Sequence, residues 1–150
     1  MVLTNLDLFD IVEEIQLKDF IGVFMKDELL NEKKKVGNYI INLQSSTDGN
    51  GTHYTALKIY PNGSCLYFDS FGFDSPIEVK KFCGCHVPYS DKQIQNINSS
   101  ICGYYAISFL YYMSSHENKN YLDVYEKYLN MFSNDVKQNR KILENYLRPL

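Results

Sequence analysis

The chain of 150 residues contains no tryptophan. It also has no uninterrupted apolar run near the roughly eighteen residues that argue for a membrane-spanning helix. The absence of such a run excludes a helical membrane protein as the expectation. A long basic stripe is missing too: net charge is −3, and the densest cationic cluster, "NEKKKVG" at residues 31–37, reads as a solvated connection before a strand. Nucleic acid is therefore disfavoured as the principal partner. The opening "MVLTNLDLFDIVEEI" places acidic residues where a secretory signal needs basic ones. The expectation is an intracellular protein whose four cysteines, Cys65, Cys83, Cys85 and Cys102, are reduced thiols. "CGCH" at 83–86 invites a metal reading, but it has no second ligand pair at zinc spacing, so no metal or other cofactor is expected. There is no internal repeat and no low-complexity segment.

What is present suits one domain spanning 1–150. Hydrophobic residues make up 45% and charged residues 22%, which separates an ordinary globule from a disordered chain. Thirteen tyrosines and nine phenylalanines carry the aromatic content. A buried tyrosine needs a partner for its hydroxyl, so many of these rings are expected at the edges of the core.

Residues 4–15 place Leu6, Leu8, Phe9, Ile11, Val12 and Ile15 at helical spacing, with Thr4 or Asn5 as cap and Asp7 in the first turn. "DFIGVFMKDELL" (19–30) predicts a short segment around Gly22 and then a helical turn. "VGNYIINLQ" (36–44), "THYTALKIY" (52–60) and "SCLYFDSFG" (64–72) predict strands, and "SSTDGNG" (45–51) a loop. A short helix is expected around "SPIEVKKF". Residues 101–115 are apolar nearly all the way round, as in a helix buried on every side. "YLDVYEKYLNMF" and "NDVKQNRKILENYL" read as two amphipathic helices. The order is helix, small antiparallel sheet, buried central helix and further helices: an α+β protein.

Within "SSICGYYAISFLYYM" (99–113), Cys102 falls in the first turn of the buried helix, behind Asn98, Ser99 and Ser100 as candidate caps. Taken alone, a cysteine there is most simply a small buried hydrophobe. A helix N-terminus also favours the thiolate, and a nearby imidazole completes a nucleophile. Gly103 removes a side chain beside it, letting a substrate backbone approach. Of the three histidines, His116 lies at the far end of the same helix, roughly 20 Å away at 1.5 Å per residue, and is out of reach. His86 sits in an irregular segment and stays open as a base. His53 opens a strand beside a loop, where scaffolds present chemistry.

The hairpin chemistry bears on that choice. "YPNGS" fits a three-residue loop in which Pro61 and Asn62 form a type I turn and Gly63 takes a left-handed conformation. Tyr60 then pairs with Ser64, and paired residue numbers sum to 124. Asp69 lies opposite Thr55 and diagonal to His53 on one face of the sheet, with Leu57, Ile59, Cys65 and Tyr67. The same face is expected to receive the N-terminus of the helix carrying Cys102. An acid beside the imidazole would fix its tautomer and stabilise the imidazolium. Acyl transfer also needs a donor for the oxyanion, and Gln95 and Gln93 are both placed to offer a side-chain amide beside the Cys102 N–H.

"GTHYTALKIY", "LYFDSFGFDSP" and "IQNINSSICGYYAISFLYYM", in that order, resemble the adenovirus maturation protease (adenain) family, and "GVFMKDELL" with "DSFG" resembles its Polinton and virophage versions. The resemblance covers about residues 20–115. It implies the fold shared with ubiquitin-like-protein (SUMO) proteases: a papain-like α+β arrangement, with a small mixed sheet packed on a central helix bearing the nucleophile. It assigns His53 as general base, Asp69 as orienting acid, Gln95 rather than Gln93 as oxyanion donor and Cys102 as nucleophile. Tyr54 stands where the family usually has tryptophan after the histidine, and with Gly103 is expected to line the substrate path. Asp69 replaces the glutamate of the adenovirus enzymes.

The function so implied is a cysteine endopeptidase cleaving after Gly in viral or virus-like capsid and core precursors. It would act as a monomer, in the host cytoplasm or viral factory and in the virion. An activating peptide is a further expected partner, while the acidic charge balance speaks against DNA-assisted activation. Competing readings are a protease removing ubiquitin-like modifiers and a catalytically inactive interaction module on the same fold. Metal binding through Cys83, Cys85 and His86 is the weakest.

Overall fold

The computed structural model describes residues 3–44, 53–97, 99–117 and 119–147. The expected loop at 45–51 and the candidate cap Asn98 lie outside them. Helix α1 (Asn5–Ile15) starts at Thr4, whose Oγ accepts from the Asp7 N–H at 3.2 Å while the Asp7 carboxylate accepts from the Thr4 N–H at 2.8 Å. This reciprocal cap satisfies two backbone donors that the helix cannot bond itself. Strand β1 (Phe20–Met25) follows, then a 3₁₀ turn (Glu28–Asn31), β2 (Gly37–Asn42), β3 (Tyr54–Ile59) and β4 (Cys65–Phe68). Four helices complete the chain: α2 (Ile77–Cys83), α3 (Cys102–Ser114), α4 (Tyr121–Asn130) and α5 (Val136–Leu147).

The sheet order is β1-β2-β3-β4, with β1 parallel to β2 and the remaining pairs antiparallel. The expected segment around Gly22 is thus a full strand, and it turns the antiparallel sheet into a mixed one. Gly22 marks a register shift against β2, the irregularity a glycine within a strand commonly signals.

The β3–β4 hairpin has the register that its turn chemistry dictates: Ile59 pairs with Cys65, Leu57 with Tyr67 and Ala56 with Phe68. Tyr60 and Ser64 close the loop through an N–H···O bond of 2.9 Å, and the Gly63 N–H donates to the Tyr60 carbonyl at 2.8 Å. Gly63 has φ +87° with open space where a Cβ would sit. Gly63→Ala is therefore expected to cost about 1–2 kcal/mol from backbone conformation alone. Chemical denaturation should show a lower midpoint with an unchanged slope.

The two faces of this sheet build separate cores. Ile40, Ala56, Leu66 and Phe68 pack against α3, which contributes Tyr105, Ala106, Phe109 and Leu110, and α4 and α5 close over it. Tyr39, Ile41, Leu57, Ile59, Cys65 and Tyr67 pack on the other side against Leu29 of the 3₁₀ turn and Val79 and Cys83 of α2. The central helix therefore covers the even-numbered face of the hairpin, opposite to the expectation. Tyrosines also enter the core more deeply than expected. Tyr39, Tyr67, Tyr105 and Tyr128 are essentially inaccessible. The Tyr128 hydroxyl is satisfied 2.7 Å from Ser108 Oγ, and Tyr125 donates to the Tyr67 carbonyl at 2.7 Å. Among the described residues no helix is long and apolar enough to cross a membrane.

Candidate active site

His53 immediately precedes β3 and Asp69 immediately follows β4, so both stand at one end of the sheet, where strict face alternation stops. That position reconciles the hairpin register with a helix on the opposite face: the two side chains meet beyond the strand ends. His53 Nε2 lies 2.9 Å from Asp69 Oδ1, and the carboxylate is fully buried. The Phe71 N–H donates to the same oxygen at 2.8 Å, and the Gly72 N–H donates to the Asp69 carbonyl at 2.8 Å, which fixes the acid in a tight turn.

Cys102 is the first residue of α3 and is buried, at 4% exposure. The preceding Ile101 occupies the cap position without a side-chain cap bond, so neither Ser99 nor Ser100 caps this helix. The Tyr54 N–H donates to Cys102 Sγ at 3.4 Å, tying the thiol to the start of β3 next to His53. The thiol also lies near enough to the His53 ring to bear on its protonation. Burial pulls the His53 pKa down, but the hydrogen bonds to Asp69 and Cys102, reinforced by their charges, outweigh it and raise the pKa from 6.5 to about 9.

Phe71 is a residue that the sequence analysis passed over. Its ring stacks on the His53 imidazole with centroids 4.5 Å apart and planes within 10°. It covers one face of the imidazole, whereas the Tyr54 ring is buried, with its hydroxyl donating to Asn5 Oδ1 at 2.7 Å. The "DSFG" stretch held the signal: an aromatic two residues beyond the acid. Gly103 faces α1 rather than open space. A Cβ there would lie 2.8 Å from Leu8 Cδ2 and 3.0 Å from Leu3 Cδ1, so the close approach it permits is that of α1.

Gln95 is wholly buried, whereas Gln93 is exposed and donates through Nε2 to the Gln95 carbonyl at 3.0 Å. The Ser70 hydroxyl donates to Gln95 Oε1, and the Ile94 and Gln95 N–H groups both donate to the Ser70 carbonyl at 3.0 Å. With Oε1 held by a donor, the amide orientation is set, and Nε2 points to the Ser99 carbonyl at 3.0 Å, three residues before Cys102. His86 is exposed in the segment after Cys85, and His116 bonds the Tyr112 carbonyl at the far end of α3. Among the described residues no group of three or more metal-ligating side chains is arranged to hold an ion.

A four-stranded mixed sheet packed on a helix that begins with a cysteine, with a histidine and acid at the sheet's end, is a papain-like α+β fold, and a solved protease shares it. The solved structure of ASFV pS273R protease superposes with a TM-score of 0.60 at 15% identity, covering 97% of this chain and 66% of that one. Its selenomethionine form gives 0.50 at 15% identity, covering 83% and 61%. This chain thus spans about two thirds or less of the proteins it resembles. No protein-family model and no curated protein matches it.

Proposed function

We propose that this chain is a cysteine endopeptidase, with Cys102 as nucleophile, His53 as general base and acid, Asp69 as orienting acid and Gln95 as oxyanion donor. The observation that carries it is the His53–Asp69 pair at 2.9 Å beside the thiol at the head of α3, which the N–H of Tyr54, the residue after His53, bonds at 3.4 Å. A raised imidazole pKa fits His53 as the acceptor of the thiol proton during attack. The thiolate attacks the scissile carbonyl, and the oxyanion takes hydrogen bonds from the Cys102 N–H and Gln95 Nε2. The imidazolium then protonates the leaving amine. His53 next takes a proton from the water that hydrolyses the thioester, returning Cys102 to its starting state.

Gln95→Ala is expected to lower kcat by about 10²-fold or more with little change in KM, since its amide acts on the transition state. Ser70→Ala removes the donor that orients that amide and is expected to lower kcat by about tenfold, with Ser70→Thr restoring it. Gln93→Ala should do little. Steady-state kinetics on a fluorogenic peptide separates these outcomes.

The substrates are precursors of viral or virus-like structural proteins, cut after Gly. The order of the four residues along the chain, the likeness of the flanking motifs to adenovirus-type maturation proteases and the viral protease fold support this reading. Incubation with the structural proteins encoded beside this one, followed by sequencing of new N-termini, tests it. Cuts after Gly are expected; cuts mainly after bulky or charged residues overturn it. Preferential reaction with a Gly-Gly-linked ubiquitin-like probe would assign the enzyme to modifier removal instead.

A further inference from the structure

Three of the four cysteines have no place in this chemistry, and they lie together on the opposite face of the sheet. Cys65 opens β4, Cys83 ends α2, and Gly84 in the left-handed conformation (φ +66°) turns the chain so that Cys85 comes back over the β3–β4 loop. Cys85 Sγ lies 3.8 Å from Cys65 Sγ. Both thiols point at the Gly63 carbonyl, at 3.8 and 3.7 Å. The Lys34 ammonium bonds the same carbonyl at 3.0 Å and the Cys83 carbonyl at 2.7 Å, setting a positive charge beside the cluster. Cys65 and Cys83 are buried, and Cys85 is exposed.

We propose that Cys65 and Cys85 form a dithiol that reacts with small disulfides of the glutathione class, with Cys85 as the point of entry and Cys65 as the resolving thiol. In the first step Cys85 loses its proton to solvent and attacks one sulfur of the glutathione disulfide. That S–S bond breaks, one glutathione leaves as thiolate and takes up a proton, and a mixed disulfide forms on Cys85. In the second step Cys65 gives up its proton and attacks Cys85 Sγ, and the second glutathione leaves as thiolate and takes up a proton, so the released protons end on the two glutathione thiols. The two protein thiols are oxidised by two electrons, and one glutathione disulfide is reduced to two thiols.

The assignment of roles follows from access and distance. Only Cys85 is open to a tripeptide, and its nearest sulfur on a distant part of the chain is that of Cys65. Cys83 is one residue away from Cys85, too close for easy bridging. Burial and the facing Cys65 thiol raise the Cys85 pKa while Lys34 acts against them, so exchange accelerates toward alkaline pH. Cys102 lies in the other core, so a glutathione captured there meets no second thiol of this cluster. The same reagent therefore leaves a bridge on one face and a simple adduct on the other.

The test is to treat the full chain with glutathione disulfide at mildly alkaline pH, alkylate the remaining thiols and map peptides by mass spectrometry. A Cys65–Cys85 cross-linked peptide, lost on reduction, is the expected result. Cys65→Ser should stop the reaction at a stable glutathione adduct on Cys85. Cys85→Ser, at an exposed position where folding is not at stake, should leave Cys65 unmodified. A wild-type chain that keeps glutathione on Cys85 with Cys65 alkylated overturns the proposal, as does a Cys83–Cys85 bridge or no reaction at either residue. None of these readouts depends on protease activity, so failure here and failure of the protease reading are separate results.

Discussion

Cys102→Ala is expected to abolish peptide cleavage, lowering kcat on the order of 10⁶-fold, because it deletes the atom proposed to attack the carbonyl. The fold should survive: the substitution removes one sulfur from a buried site and replaces it with the best helix-forming residue, in the first position of α3. Circular dichroism and thermal melting should therefore match the wild type within a few degrees while turnover disappears. Full activity in a preparation free of contaminating proteases would end the endopeptidase reading. So would a variant that still forms a thioester trapped by acid quench.

Removal of the base should cost nearly as much. His53→Ala leaves the thiol without a proton acceptor and the leaving amine without a donor, and a loss approaching that of Cys102→Ala is expected. The same substitution carries a signature in stability. Hydrogen bonds to Asp69 and Cys102 overcome burial and raise the folded-state pKa of His53 from 6.5 to about 9. A group with a raised folded pKa stabilises fully below its unfolded value. The contribution is therefore complete below about pH 6.5 and is lost as pH rises through about 9. Denaturation free energies of wild type and His53→Ala should differ most in mildly acidic solution and converge above pH 9. Asp69→Asn should act in the same direction, with a smaller loss of turnover and a lower apparent pKa in the acid limb. A difference between wild type and His53→Ala that grew with rising pH would contradict the hydrogen-bonded pair.

The parts of this protein that were legible in its sequence are those fixed by local chemistry. The Pro61-Asn62-Gly63 loop determines which residues of β3 and β4 face one another, and with it the meeting of His53 and Asp69. The amphipathic repeats gave α1, α4 and α5, and the cap of α1 was narrowed to Thr4 or Asn5, of which Thr4 is the one used. What escaped was long-range. Strand β1 lies beside β2 only through a crossover, and Gly22 blurred its alternation. The face chosen by α3 escaped as well, because both faces of the hairpin are apolar and alternation cannot say which partner covers which. His53 and Asp69 sit just past the strand ends, so their meeting with Cys102 did not depend on that choice. Phe71 was hidden for a related reason: its stacking on His53 follows from the turn after Asp69, which pattern alone does not reveal.

The packing of α1 on Gly103 reaches beyond sterics. Leu3 and Leu8 fill the space above Gly103, the residue after Cys102, and Asn5 holds the Tyr54 hydroxyl. The first turn of α3 is thus supported from the side by a helix of only eleven residues near the start of the chain. Docking of such an element is an equilibrium, and short peripheral elements tend to open before the whole structure does. The competent fraction of molecules at a given temperature is then the docked fraction, and apparent turnover scales with that population. Output should begin to fade on heating before the global transition. The Thr4–Asp7 cap, worth about 1 kcal/mol, sets how early that fading starts.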